Sequence, residues 1–118
     1  ELTRLGAGPT AGIRSVWLRE RGDPWWRIQV NREPIERGVW RYRRDPSITL
    51  PIEVATWRSS RARCLAPYVQ LLWKSPAPRP RDDPDLELLH DRLDASARDW
   101  LRASIAQAHP ESPWIGLI

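Results

Sequence analysis

The 118-residue chain carries 19 Lys and Arg against 15 Asp and Glu, a net charge of +4, with 41% hydrophobic residues and eight tryptophans. That length suits one domain or less, and that apolar content can fill a core, which excludes a disordered chain. One cysteine, Cys64, excludes an internal disulfide and fits a reducing compartment; no apolar run approaches the roughly 18 residues of a membrane span, so the chain reads as cytoplasmic with no membrane partner.

The chain begins at Glu1 and holds no Met, which reads as a fragment or a processed product. Residues 1–13, with Gly6, Gly8, Pro9 and Gly12, read as a flexible lead-in rather than a packed element. Residues 14–57 read as strands. Ser15–Glu20 alternates apolar and polar as a half-buried strand does, and Asp23-Pro24 then makes a turn. Trp26–Asn31 alternates more cleanly, with Trp26, Ile28 and Val30 on one face and Arg27, Gln29 and Asn31 on the other. Glu33–Gly38 is turn-like, Val39–Arg43 is a third strand that Asp45-Pro46 ends, and Thr49–Trp57 supplies one more short strand. If Trp26–Asn31 pairs with Val39–Arg43, a polar row of Arg27, Gln29, Asn31, Arg41 and Arg43 faces away from the helices. Such a row is either the wet side of an antiparallel sheet or a floor that contacts phosphate.

Helical period takes over across residues 66–109. Pro67 stands where a first helical residue tolerates proline, and Tyr68, Leu71 and Leu72 make an apolar stripe up to Lys74. Ser75–Pro80 holds three prolines and cannot be helical. Asp83 as N-cap before Pro84 opens a second helix with Leu86, Leu89 and Leu93 on one side. Asp94 caps a third, lined by Ala97, Trp100, Leu101, Ile105 and Ala108 and stopped by His109-Pro110. The expected fold is α+β: a small, mostly antiparallel sheet in the N-terminal half, then three helices.

Eighteen of the 19 basic residues are arginine, Lys74 being the single lysine. A bias on that scale follows genome composition, so it does not by itself argue for a nucleic-acid partner. Trp26, Trp40, Trp73 and Trp100 fall on apolar faces and are assigned to the core rather than to base stacking. His90 and His109 have no Cys or His at ligand spacing, so no metal site is expected, and His109 reads as a helix C-terminal cap. No Gly-rich phosphate loop or nucleophile elbow is present.

Three short segments occur in a telling order: Trp40-Arg41-Tyr42-Arg43-Arg44-Asp45; an apolar helix ending in Lys74 followed by Arg79-Pro80-Arg81-Asp82-Asp83-Pro84-Asp85-Leu86; and His109-Pro110-Glu111-Ser112-Pro113-Trp114. That order resembles the C-terminal half of nucleotidyltransferase-like proteins of the aminoglycoside adenylyltransferase type, in the polymerase-β-like superfamily. The resemblance spans about Val16 to Trp114. It implies transfer of a nucleoside monophosphate from an NTP to the hydroxyl of a small-molecule acceptor, with Mg²⁺ bound upstream and none held by this chain. It further implies substrate or nucleotide contact by Arg43, Arg44, Lys74 and Arg79, and structural pairing of Asp82 and Asp85 with Lys74 or Arg79.

The departures matter as much. The family's metal-binding Asp-x-Asp segment is absent in context; Asp83-x-Asp85 has the spelling but sits behind proline at a helix start. Gln29 stands where a third acid is expected. Glu33 is either a substitute acid or a turn residue pairing with Arg32 or Arg37. Ser112 replaces a second tail histidine. The fragment is therefore expected to be inactive alone and, through a bare sheet edge, to self-associate. A non-catalytic Arg-rich module for nucleic acid or an acidic partner, or a degenerate family member kept for protein interaction, are the competing readings.

Overall fold

The computed structural model describes Leu2–Arg4 and Ser15–Ile118, which fall into two compact units divided after Pro34. In the first unit, β1 (Leu2–Arg4), β2 (Ser15–Glu20) and β3 (Ile28–Asn31) form one antiparallel sheet in that order. Residues 2–4 of the expected lead-in thus belong to a strand, Leu2 opposite Glu20 and Arg4 opposite Leu18; the remainder of 1–13 lies outside the described residues. Between β2 and β3 the chain reverses at Gly22, whose φ of +88° lies in the region glycine adopts without steric cost. The Asp23 amide donates to the Glu20 carbonyl at 3.1 Å, and the Arg27 guanidinium reaches back to Asp23 at 2.6 Å. Arg19 lies 4.7 Å from the Trp26 ring centroid, a cation–π contact.

The partner of β3 is β2, with Val16 opposite Val30 and Leu18 opposite Ile28. The expected pairing of Trp26–Asn31 with Val39–Arg43 is not made. Alternation assigns faces, not neighbours, and the tight turn at Gly22 brings the preceding strand into register first. No single sheet therefore carries the expected row of Arg27, Gln29 and Asn31 beside Arg41 and Arg43. Ile28 and Val30 are 46% and 51% exposed, so the apolar face assigned to helix packing is open instead.

The second unit, Ile35–Ile118, begins with β4 (Ile35–Glu36), β5 (Val39–Arg41) and β6 (Thr49–Pro51), again antiparallel and in chain order. The segment read as a turn, Glu33–Gly38, contains the β4 half of a two-residue hairpin. Arg37 and Gly38 both take positive φ, 50° and 77°, as the twist of such a hairpin demands. Asp45 closes the next turn by accepting from the Ser47 amide at 3.1 Å and its hydroxyl at 2.6 Å. The stretch Thr49–Trp57 is divided: β6 ends at Pro51, a single helical turn α1 (Ile52–Ala55) follows, and β7 (Thr56–Arg58) pairs with β8 (Arg63–Leu65).

Then come α2 (Pro67–Lys74), a 3₁₀ turn (Pro80–Asp82), α3 (Asp83–His90) and α4 (Ala95–Ala108). Pro67 occupies the first helical position of α2, and the Asp94 carboxylate caps α4 by accepting from the Ala97 amide at 2.8 Å. Asp83 does not act as the cap of α3. The 3₁₀ turn shifts the boundary back by one residue, and the Asp83 carboxylate instead accepts from Trp114 Nε1 at 3.1 Å. The architecture is α+β, strands before helices. Its core joins Trp40, Tyr42 and Leu50 of the sheet region to Leu71 and Leu72 of α2, Leu101 and Ile105 of α4, and Trp114. Beyond α4 the tail returns over this core: the Ser112 hydroxyl donates to the Ser75 carbonyl at 2.7 Å, and Ile118 is buried. Among the described residues no helix is long and apolar enough to cross a membrane.

Candidate functional site

A cleft of about 290 Å³ opens where α2 ends, lined by Arg44, Trp73, Lys74, Arg79 and Asp82, with Pro76 and Ala77 of the connecting segment. Local chemistry explains why these side chains meet. Beyond the end of β5 Tyr42 follows Trp40 into the core, and the bend at residues 43–44 then breaks the strand alternation and leaves Arg44 at the surface. The apolar stripe of α2 buries Val69, Leu71 and Leu72 and leaves Trp73 and Lys74 at its exit. The prolines of Ser75–Pro80 block continuation of the helix and return the chain through Arg79 into the 3₁₀ turn.

Asp82 is the hub. Its side chain is 4% exposed and meets four donor nitrogens, among them the Arg79 Nε at 2.8 Å, the Arg79 backbone amide at 3.0 Å and the Lys74 ammonium at 3.0 Å. The fourth, a second guanidinium nitrogen of Arg79, reaches the carboxylate's other oxygen at 3.2 Å. Hydrogen bonding by the Arg79 guanidinium, helped by the Arg79 amide and Lys74, holds the Asp82 carboxyl far below the ordinary carboxylate range despite its burial. Lys74 also hydrogen-bonds Asp85, on the first turn of α3. Burial opposes the charge on Lys74, but the hydrogen bonds and charges of Asp85 and Asp82 outweigh it and leave its pKa raised. One lysine thus ties the end of α2 to the start of α3.

A second cluster packs against Trp73 of the cleft. The Tyr42 hydroxyl, buried in the core, stands 2.8 Å from His109 Nε2 and 3.4 Å from the Leu72 carbonyl. The Tyr42 ring meets both Trp73 and His109 edge-on, with centroids 6.2 and 5.7 Å apart. Burial pushes the Tyr42 phenol up, while the charge and hydrogen bond of Arg44 pull it down. Burial, and then Arg44, push the His109 imidazole below its ordinary value, against the pull of Asp45.

Of the residues read from sequence, Arg44, Lys74, Arg79 and Asp82 line one cleft, and Asp85 joins them through Lys74. Arg43 is half-buried and not part of the lining. Glu33 belongs to the first unit, and the cleft is built wholly from the second. His109 does close α4, its amide donating to the Ile105 carbonyl at 2.7 Å, but its ring also bonds Tyr42, 67 residues away. Sequence reasoning missed this pair and the wall provided by Trp73. The available signal was Tyr42 at an inward position of a strand and a histidine at a helix end, each ordinary by itself.

Among the described residues no three of His, Cys, Asp and Glu come together as ligands for a metal ion. The carboxylates of Asp82 and Asp85 are committed to Lys74 and Arg79. Engaged in this way, they are not free to ligate a metal ion. No family model, curated protein or solved structure matches this chain.

Proposed function

We propose that this chain is the C-terminal part of a nucleotidyltransferase-like protein of the aminoglycoside adenylyltransferase type, working in the cytoplasm on an NTP and a small-molecule hydroxyl. The observation that carries this reading is the cleft itself, where Arg44, Lys74 and Arg79 converge beside Trp73. Transfer of a nucleotidyl group needs cations around a polyphosphate, and the protein's part in such chemistry is positioning and charge stabilisation. Guanidinium forks suit phosphate oxygens geometrically. Asp82 and Asp85 support the reading in a structural role, since they hold Lys74 and Arg79 at fixed positions. In this reading the chain forms the phosphate side of the site, and the magnesium-binding acids are supplied by a segment this chain does not contain.

The test is equilibrium binding of ATP, GTP and CTP by calorimetry, with parallel transfer assays using magnesium and aminoglycoside acceptors. Saturable NTP binding, weakening with salt, is expected together with no detectable adenylylated product from this chain alone. Absence of saturable NTP binding at millimolar concentrations removes the reading. So does binding of single-stranded oligonucleotide that NTP cannot displace, which would favour an electrostatic nucleic-acid module. Measurable AMP transfer by the chain alone would refute its expected inactivity.

A further inference from the structure

The three cations of the cleft are not equivalent. Lys74 stands between two carboxylates, Asp82 and Asp85. Arg79 turns Nε and one terminal nitrogen onto Asp82. Arg44 has no carboxylate partner among the described residues, and Trp73, which lines the cleft with it, packs edge-on against Tyr42. Of the positive charge lining the cleft, that of Arg44 is therefore the part left uncompensated. The volume, about 290 Å³, lies at the lower limit of the roughly 300–1,000 Å³ that encloses a drug-sized ligand. It suits a charged group better than a whole nucleotide.

Behind Arg44 stands a polar pair with two arrangements. When the His109 ring is neutral with its proton on Nδ1, Nε2 accepts from the Tyr42 hydroxyl across 2.8 Å. When Nε2 carries a proton, it donates to the Tyr42 oxygen, and the hydroxyl hydrogen turns to the Leu72 carbonyl at 3.4 Å. The charged groups acting on His109 are Arg44, which opposes a second ring proton, and Asp45, which favours it. Asp45 is held by Ser47 and by Gln107 of α4. From α2 the Leu72 carbonyl faces the Tyr42 hydroxyl and the Trp73 ring packs edge-on against the Tyr42 ring. An anion on Arg44 would cancel the charge that opposes protonation.

We infer that the cleft takes a single oxyanion group, a phosphoryl or pyrophosphoryl, on Arg44, and that its arrival is answered by uptake of one solvent proton at His109 Nε2 through the Tyr42 hydroxyl. This rests on the phosphate-side reading above and adds to it which cation recognises the ligand and how the protein registers it. No bond between heavy atoms changes. One proton comes from water to Nε2, and the Tyr42 hydrogen bond reverses direction. Anion affinity consequently strengthens as pH falls from above the bound-state midpoint of His109 to below its free-state midpoint, and is level outside that window.

The experiment is a histidine-detected NMR titration of the whole chain between about pH 5 and pH 8, with inorganic sulfate, pyrophosphate or ATP, against sodium chloride at matched ionic strength. Sulfate carries a constant charge across that range, so any proton taken up belongs to the protein. The chain's other histidine, His90 beside Asp91, serves as internal control. The midpoint of His109 should rise with sulfate and pyrophosphate while that of His90 stays fixed. R44Q, a change at an exposed side chain whose fold is checked by circular dichroism, should raise the His109 midpoint with no anion added. It should also abolish the response and weaken pyrophosphate binding about tenfold or more. Equal affinity for pyrophosphate and ATP would assign recognition to the phosphate chain, and tighter ATP would add the nucleoside; either supports the inference. Saturable binding with an unmoved His109, the same response in R44Q, or an equal shift with chloride overturns it and leaves the NTP reading standing. Failure of sulfate, pyrophosphate and ATP alike to bind overturns both.

Discussion

The two units solve the folding problem differently. From Ser15 to Pro34 not one residue is fully buried, although β2 and β3 pair over four positions and apolar side chains face one another across them. From Ile35 onward every layer contributes to a shared interior: Trp40 and Tyr42 from the sheet region, Leu71 and Leu72 from α2, Leu101 and Ile105 from α4. Backbone pairing makes a sheet in both cases. Only where an amphipathic helix lies on the sheet does it also remove apolar surface from water, and that removal is the main favourable term in folding. Strand pattern alone is thus a poor guide to where stability resides.

That contrast can be broken in three places. The largest effect is expected at Trp40, which is fully buried. W40A should cost about 3–5 kcal/mol in urea unfolding followed by circular dichroism, because a cavity of indole size cannot be refilled by its neighbours. A loss below about 1 kcal/mol would mean that the second unit is not held by this core.

Next comes the polar hub. D82N should cost about 2–4 kcal/mol, since it leaves Lys74 and Arg79 without a buried anion. It should also change the acid limb. The folded-state carboxyl of Asp82 is held below its unfolded value of about 3.9. Its contribution is therefore fully present above that value and is lost as pH falls toward the folded-state midpoint. Wild type should lose stability steadily below about pH 4 and D82N less steeply; parallel acid limbs would show that Asp82 is not the group responsible.

The smallest effect is expected in the first unit. V30A, at a half-exposed position on β3, should change stability by less than about 0.5 kcal/mol. A loss of 2 kcal/mol or more, roughly that of burying a whole valine, would show that its apolar face is covered in solution.

The parts legible from sequence share one property: local chemistry sets their limits. Proline at the first position and lysine in the last turn bound α2, and Asp94 marks the start of α4. The short elements escaped for physical reasons. Pro51 divides the run from Thr49 to Trp57 by starting the helical turn α1, with too few residues for any period to show. The mate of β3 could not be read, because alternation says which face a side chain takes but not which strand lies beside it. In the site, Lys74, Arg79, Asp82 and Asp85 sit within twelve residues and could be read together. Tyr42 and His109 are joined only by the fold, which is why the pairing that links the cleft to α4 had no counterpart in the sequence.

The last stretch of chain carries a consequence of its own. Trp114 is plugged into the interior with its indole nitrogen on Asp83, the Ser112 hydroxyl clasps the end of α2 through Ser75, and Arg102 donates to the Ile118 carbonyl at 2.8 Å. This segment behaves as a keystone. The helices before it can settle into their final packing only once translation has delivered these residues, and a cleavage just before Trp114 would loosen the vault from within.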